Sequence, residues 1–190
     1  MADDISPYKE AILKRALLWK REMLEVTSNW RSPAQLRDDL LGVGFELGSA
    51  ALHATTYPEF ETTDGVTYRF GFILGVEIEG EITTRKVNAE ANRRRYNKVS
   101  IEATLLLIEK RPPPLMLGLM HCSYIFWSDP VPTNDNGGGD PSILTLEHDG
   151  YTTGIISSIP PHLVRKWSKA DIFVFLAPDD IQRPVGRRVG

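Results

Sequence analysis

A single cysteine, Cys122, rules out an internal disulfide and any zinc site built from several thiolates. Long apolar runs are also missing. Leu105–Ile108 and Leu115–Met120 fall far short of a membrane span, so no membrane partner is expected. The opening residues, MADDISPYKE, lack the apolar core of a signal peptide. Together these absences place the chain in the cytoplasm or in a particle assembled there. No strong excess of charge is present either: 22 basic against 25 acidic side chains leave a net charge of −3. Any contact with nucleic acid therefore has to come from a local patch.

Several chemistries lack their signatures. There is no Gly-x-Ser-x-Gly elbow. Gly137-Gly138-Gly139 is not set between a strand and a helix as a phosphate loop would be. The segment TNDNGGGD lacks the spacing and closing glutamate of a calcium loop. Glu109 and Lys110 are adjacent, not alternate, so on a strand they cannot share a nuclease metal site. No metal site and no cofactor are expected.

What is present centres on residues 66–111. From Tyr68 to Ile82 the even positions are apolar or glycine, and Glu77, Glu79 and Glu81 occupy odd ones. This period of two predicts one long strand with an acidic outer row. Val99–Ile108, β-branched and leucine-rich, reads as its partner strand. The connection carries Arg85, Lys86, Arg93, Arg94, Arg95, Tyr96 and Lys98. The pattern predicts a long β-hairpin with a basic tip.

Around it, Ser6-Pro7 opens an amphipathic helix expected to reach Val26. Ser32-Pro33-Ala34-Gln35 starts a second helix with a capping box. That helix is expected to resume after Gly42 through Ala51. Asp64-Gly65 reads as a turn. Leu115–Trp127 is an apolar, central strand. Ile143–Leu146 and Tyr151–Ser157 flank Asp149-Gly150 as a hairpin. His162–Trp167 reads as a helical turn, and Asp171–Leu176 as a last buried strand. Helices first and strands later predict an α+β fold, with two N-terminal helices packed on one face of a mostly antiparallel sheet. Residues 1–178 form the single expected domain, and 179–190 an Arg/Pro/Gly-rich tail.

Three functions follow from different features. The first is a non-catalytic subunit of a homo-oligomeric ring or particle, such as a viral structural component. The hairpin's basic tip would contact a neighbouring subunit, relieving repulsion along the glutamate row. The second rests on two His-x-Thr/Ser motifs, His53-Ala54-Thr55 and His121-Cys122-Ser123. The pair resembles the signature of the 2H phosphoesterases. The resemblance implies a general base and acid at His53 and His121, with Thr55 and Ser123 on the phosphate oxygens. The third is a nucleic-acid-binding module that grips phosphates with the arginines and stacks a base on Tyr96.

Overall fold

The computed structural model describes residues 24–48, 63–110, 123–129, 143–147, 155–159 and 166–178. The elements run β1 (Leu24–Asn29), α1 (Pro33–Gly42), β2 (Glu46–Leu47), β3 (Asp64–Leu74), a 3-10 turn (Gly75–Glu77), α2 (Thr84–Arg93), α3 (Ile101–Glu109), β4 (Ser123–Phe126), β5 (Ile143–Glu147), β6 (Ile155–Ile159) and β7 (Ile172–Leu176). All the strands join one sheet in the order β1-β3-β7-β4-β5-β6-β2. The β7–β4 and β6–β2 pairs are parallel; the other four are antiparallel. This is an α+β fold on a mixed, mostly antiparallel sheet, as expected.

The alternation of side chains sorts the core into two layers. Tyr68, Phe70, Leu74, Ile172, Val174, Tyr124, Phe126, Leu144 and Leu146 bury against Leu36 and Leu40 of α1 and Leu105 and Leu106 of α3. The intervening residues, Ile73, Phe173, Phe175, Ile125, Trp127 and Ile143, bury against Val87 and Ala91 of α2. Helices therefore cover both faces, not one. β7 is buried on both sides, which accounts for its uninterrupted apolar run IFVFL. β4 lies at the centre of the sheet, as expected of this segment; residues 115–122 of the expected strand lie outside the described residues.

The expected hairpin does not form. β3 ends at Leu74 because the chain turns at Gly75, where any side chain would collide with the backbone carbonyl of Ser168. The apolar period persists beyond Leu74 for a different reason: Leu74 belongs to the first core layer, Ile78 and Ile82 to the second. The chain has crossed from one face of the sheet to the other, which a continuous strand does not do. Residues 101–109 are helix α3, capped by Ser100, whose hydroxyl accepts from Ala103 N at 3.1 Å. This helix is buried from Glu102 to Ile108, so it shows no amphipathic period and imitates a buried strand.

Three other expectations are corrected. Leu24–Asn29 is a strand, not the end of a helix; Val26 and Ser28 point inward while Glu25 and Thr27 are exposed. The residues before Leu24 lie outside the described residues. The second helix does not resume after Gly42: its end is closed by Gly44, at φ 91°, with Phe45 N on Leu40 O and Gly44 N on Leu41 O. Glu46 and Leu47 then pair with β6. Asp64-Gly65 is not a free turn but the first part of β3, at a register shift in the β1–β3 ladder. The capping box at Ser32 and Gln35 is present, and β5 and β6 pair antiparallel. Asp149-Gly150, residues 162–165 and the tail 179–190 lie outside the described residues.

Candidate functional site

The predicted basic tip is instead helix α2 and the turn after it, lying on the second face of the sheet. Thr83 caps its start, accepting from Lys86 N at 3.3 Å. Val87 and Ala91 face inward, and the rim is fixed by two indoles. Trp127 Nε1 donates to Asn88 Oδ1 at 2.9 Å, and Trp167 Nε1 to Thr84 Oγ1 at 3.2 Å. With Phe173 and Phe175 these rings form a tilted and edge-on cluster with centroids 5.5–5.9 Å apart.

The predicted contact residues divide into two groups. Arg94 is an internal clamp, its side chain only 14 % exposed. Its Nε donates to Glu90 Oε1 at 2.6 Å and its Nη1 to the Phe72 carbonyl at 3.1 Å. Its Nη2 lies 3.4 Å from Glu77 Oε2, and its guanidinium stands 6.0 Å from the centre of the Tyr96 ring. Tyr96 does not offer a face to a base. Its ring packs on Gly71, where a Cβ would meet the phenol carbons at 2.5–2.8 Å, and its centroid is 5.9 Å from that of Phe175. Lys98 pairs with Asp129.

Arg85, Lys86, Arg93 and Arg95 point outward and are exposed. Lys86 Nζ donates to the Glu79 carbonyl at 2.7 Å. Arg93, 71 % exposed, shares Glu90 with Arg94, at 2.6 Å. That sharing, from Arg93 first and then Arg94, holds the Glu90 carboxyl down at about 2. Among the described residues, neither Arg85 nor Arg95 enters an ion pair. The glutamate row expected beside them does not exist as a strand face: Glu77 accepts from Leu74 N at 2.9 Å, and Glu81 pairs with Lys166 at 3.0 Å.

Of the four residues implied by the phosphoesterase resemblance, His53, Thr55 and His121 lie outside the described residues. Ser123 starts β4, half-buried and opposite Glu147. Among the described residues no three metal-ligating side chains come together, and no helix is long and apolar enough to cross a membrane.

Two features went unseen in the sequence. Glu102 is a buried polar hub, 2 % exposed, accepting from Thr63 N (2.9 Å), Thr63 Oγ1 (2.8 Å) and Tyr68 Oη (2.6 Å). Burial, together with the bond to Glu102, pushes the Tyr68 phenol up. Trp30, just after β1, is 64 % exposed and has φ 57°, a left-handed backbone that L-residues rarely adopt. Searches against known protein families, curated proteins and solved structures return no match for the chain.

Proposed function

We propose that the chain is a non-catalytic structural subunit of a homo-oligomeric ring or particle, and that Trp30 anchors the contact between copies. The observation that carries this reading is the state of Trp30. Exposing an indole and holding it in a left-handed backbone both cost free energy, and neither serves the core. Its amide is tied to the Thr63 carbonyl at 2.9 Å, so the strained geometry is anchored to the β3 side of the ribbon. Exposed Val66 lies at the same end of the β1–β3 ribbon: its amide donates to Ser28 Oγ at 3.0 Å, two residues before Trp30. Tryptophan is the residue type most enriched among interface anchors. β1 is the outermost strand of the sheet, and among the described residues only β3 pairs with it.

The test is solution mass by light scattering on the full chain, with Trp30→Gly as the variant. Glycine removes the indole and relieves the left-handed strain, so the variant melts no lower than the parent. The parent is expected to be a defined multimer, and the variant to move toward the monomer. A parent that stays monomeric at high concentration overturns the assembly reading. A variant with unchanged mass overturns the role of Trp30.

A further inference from the structure

The two helices α1 and α2 end in the same hydrogen-bonded motif with different residues at its critical position. In α1 the left-handed position is Gly44; in α2 it is Arg95, at φ 58°. The bonds match one for one. Phe45 N to Leu40 O corresponds to Tyr96 N to Ala91 O, and Gly44 N to Leu41 O corresponds to Arg95 N to Asn92 O. A side chain at this position is disfavoured relative to glycine, because its Cβ crowds the following carbonyl. The chain uses glycine at one helix end and accepts the strain at the other, and the residue that bears the strain is an exposed cation with no ion-pair partner among the described residues.

The rest of the outward face of α2 is consistent with this. Val87 and Ala91 point into the core, so Arg85, Lys86, Ala89, Asn92 and Arg93 lie on the opposite side of the helix. Small Ala89 and polar Asn92 leave the cations unobstructed. Arg85 and Arg93 are eight residues apart, about 12 Å along the axis, which spans about three phosphates of one strand. Residues 84–98 hold six of the chain's 22 cations and one carboxylate, Glu90, while the whole chain is net negative. Outside this segment the sequence is net acidic, so the ridge is a local basic cluster in a chain of opposite net charge.

We propose that Arg85, Lys86, Arg93 and Arg95 form a contact surface for the phosphodiester backbone of a nucleic acid. Recognition is of the backbone and not of sequence: Tyr96 packs against Gly71 and Phe175, and the two indoles beside α2, Trp127 and Trp167, are buried, so none of these rings is placed to stack with a base. The surface is separate from Trp30, and neither proposal depends on the other.

The test is fluorescence anisotropy of the full chain with labelled single-stranded 20-mers of mixed sequence, from 50 to 200 mM salt. Binding is expected to weaken with salt, with a log–log slope of about −2 to −3 for three or four phosphate contacts. The decisive variant is Arg95→Gly. It relieves the strained backbone, so it melts at the same or a higher temperature and misfolding cannot account for lost binding. It is expected to weaken binding several-fold and to reduce the slope by about 1. Arg85→Ala combined with Arg93→Ala is expected to remove most of what remains. No binding at 50 mM salt overturns the proposal, as does binding that Arg95→Gly leaves unchanged. Equal binding of a poly-glutamate chain also overturns it, by assigning the ridge to an acidic protein surface.

Discussion

On the α1–α3 side of the sheet a carboxylate, Glu102, is drawn into the interior; on the α2 side most of the cations are held at the rim and outward. The first side buries Glu102 with three donors from Thr63 and Tyr68. Its edge is tied by Arg31, which reaches Asn29 at 2.9 Å, Asp39 at 2.6 Å and both oxygens of Glu109. The Arg31 guanidinium is consequently raised above its usual range, chiefly by Glu109. The second side is closed by aromatic rings and by glycines that let backbone or ring come close, at Gly71 and Gly75. Hydrogen-bond geometry therefore fixes one layer and shape the other. Arg94 is the clamp among these cations, whereas Arg85 and Arg95 enter no ion pair among the described residues.

The sharpest way to break this contrast is Glu102→Ala. It strands three donors and leaves a cavity, so a loss of at least about 3 kcal/mol is expected in denaturant unfolding. Glu102→Gln, which keeps the volume, should recover a large part, since both hydroxyls can turn to accept. If alanine and glutamine behave alike, or if either costs little, the first layer is not held by this hub.

On the second side the matching change is Gly75→Ala. The added methyl would press on the carbonyl of Ser168 and lie within 3.0 Å of Lys169 backbone atoms, which can move only with their segment. A loss of about 2–3 kcal/mol is expected. Gly71→Ala should cost less, because the Tyr96 ring can swing away, and it should do so with a change in near-ultraviolet circular dichroism as the ring leaves Phe175. Equal costs at the two glycines would argue against shape as the determinant.

This division also explains which parts of the fold were legible in the sequence. β7, β4 and the β5–β6 pair carry local apolar signals, and α1 announces itself through Ser32, Pro33 and Gln35. The capping signal at Ser100 was present too, but Ile101–Ile108 is apolar on every side, so its period was lost. The false strand through Ile82 arose because a chain that changes faces at Gly75 can keep an apolar alternation by chance of spacing. Arg93 to Lys98 stand out in the sequence as a basic cluster, but their division into clamp and ridge depends on Glu77, Phe72, Gly71 and Phe175, which are distant in sequence. The left-handed backbone of Trp30 and Arg95 carries no sequence signal, since a positive φ at a residue other than glycine is visible only in the structure.

The finest distinction concerns Glu90, the one carboxylate among the α2 cations. Its pKa, lowered from 4.5 to about 2 by Arg93 and then Arg94, makes it a stabilising group only while it is ionised in the folded state. A lowered folded value means that the contribution is complete above about 4.5 and disappears as pH falls toward 2. Comparing the parent with Glu90→Gln by thermal melting should therefore show a gap at pH 6 that narrows below about pH 4.5 and closes only as pH falls through about 2. The gap is small: the half-buried Arg94 arm supplies about 0.5 kcal/mol, and the Arg93 arm is screened by water. The same substitution bears on the ridge, because it frees Arg93 from its one acid partner among the described residues. Glu90→Gln should slightly weaken the fold at neutral pH while strengthening nucleic-acid binding, whereas a Glu90 that served only the fold would move the first quantity and leave the second unchanged.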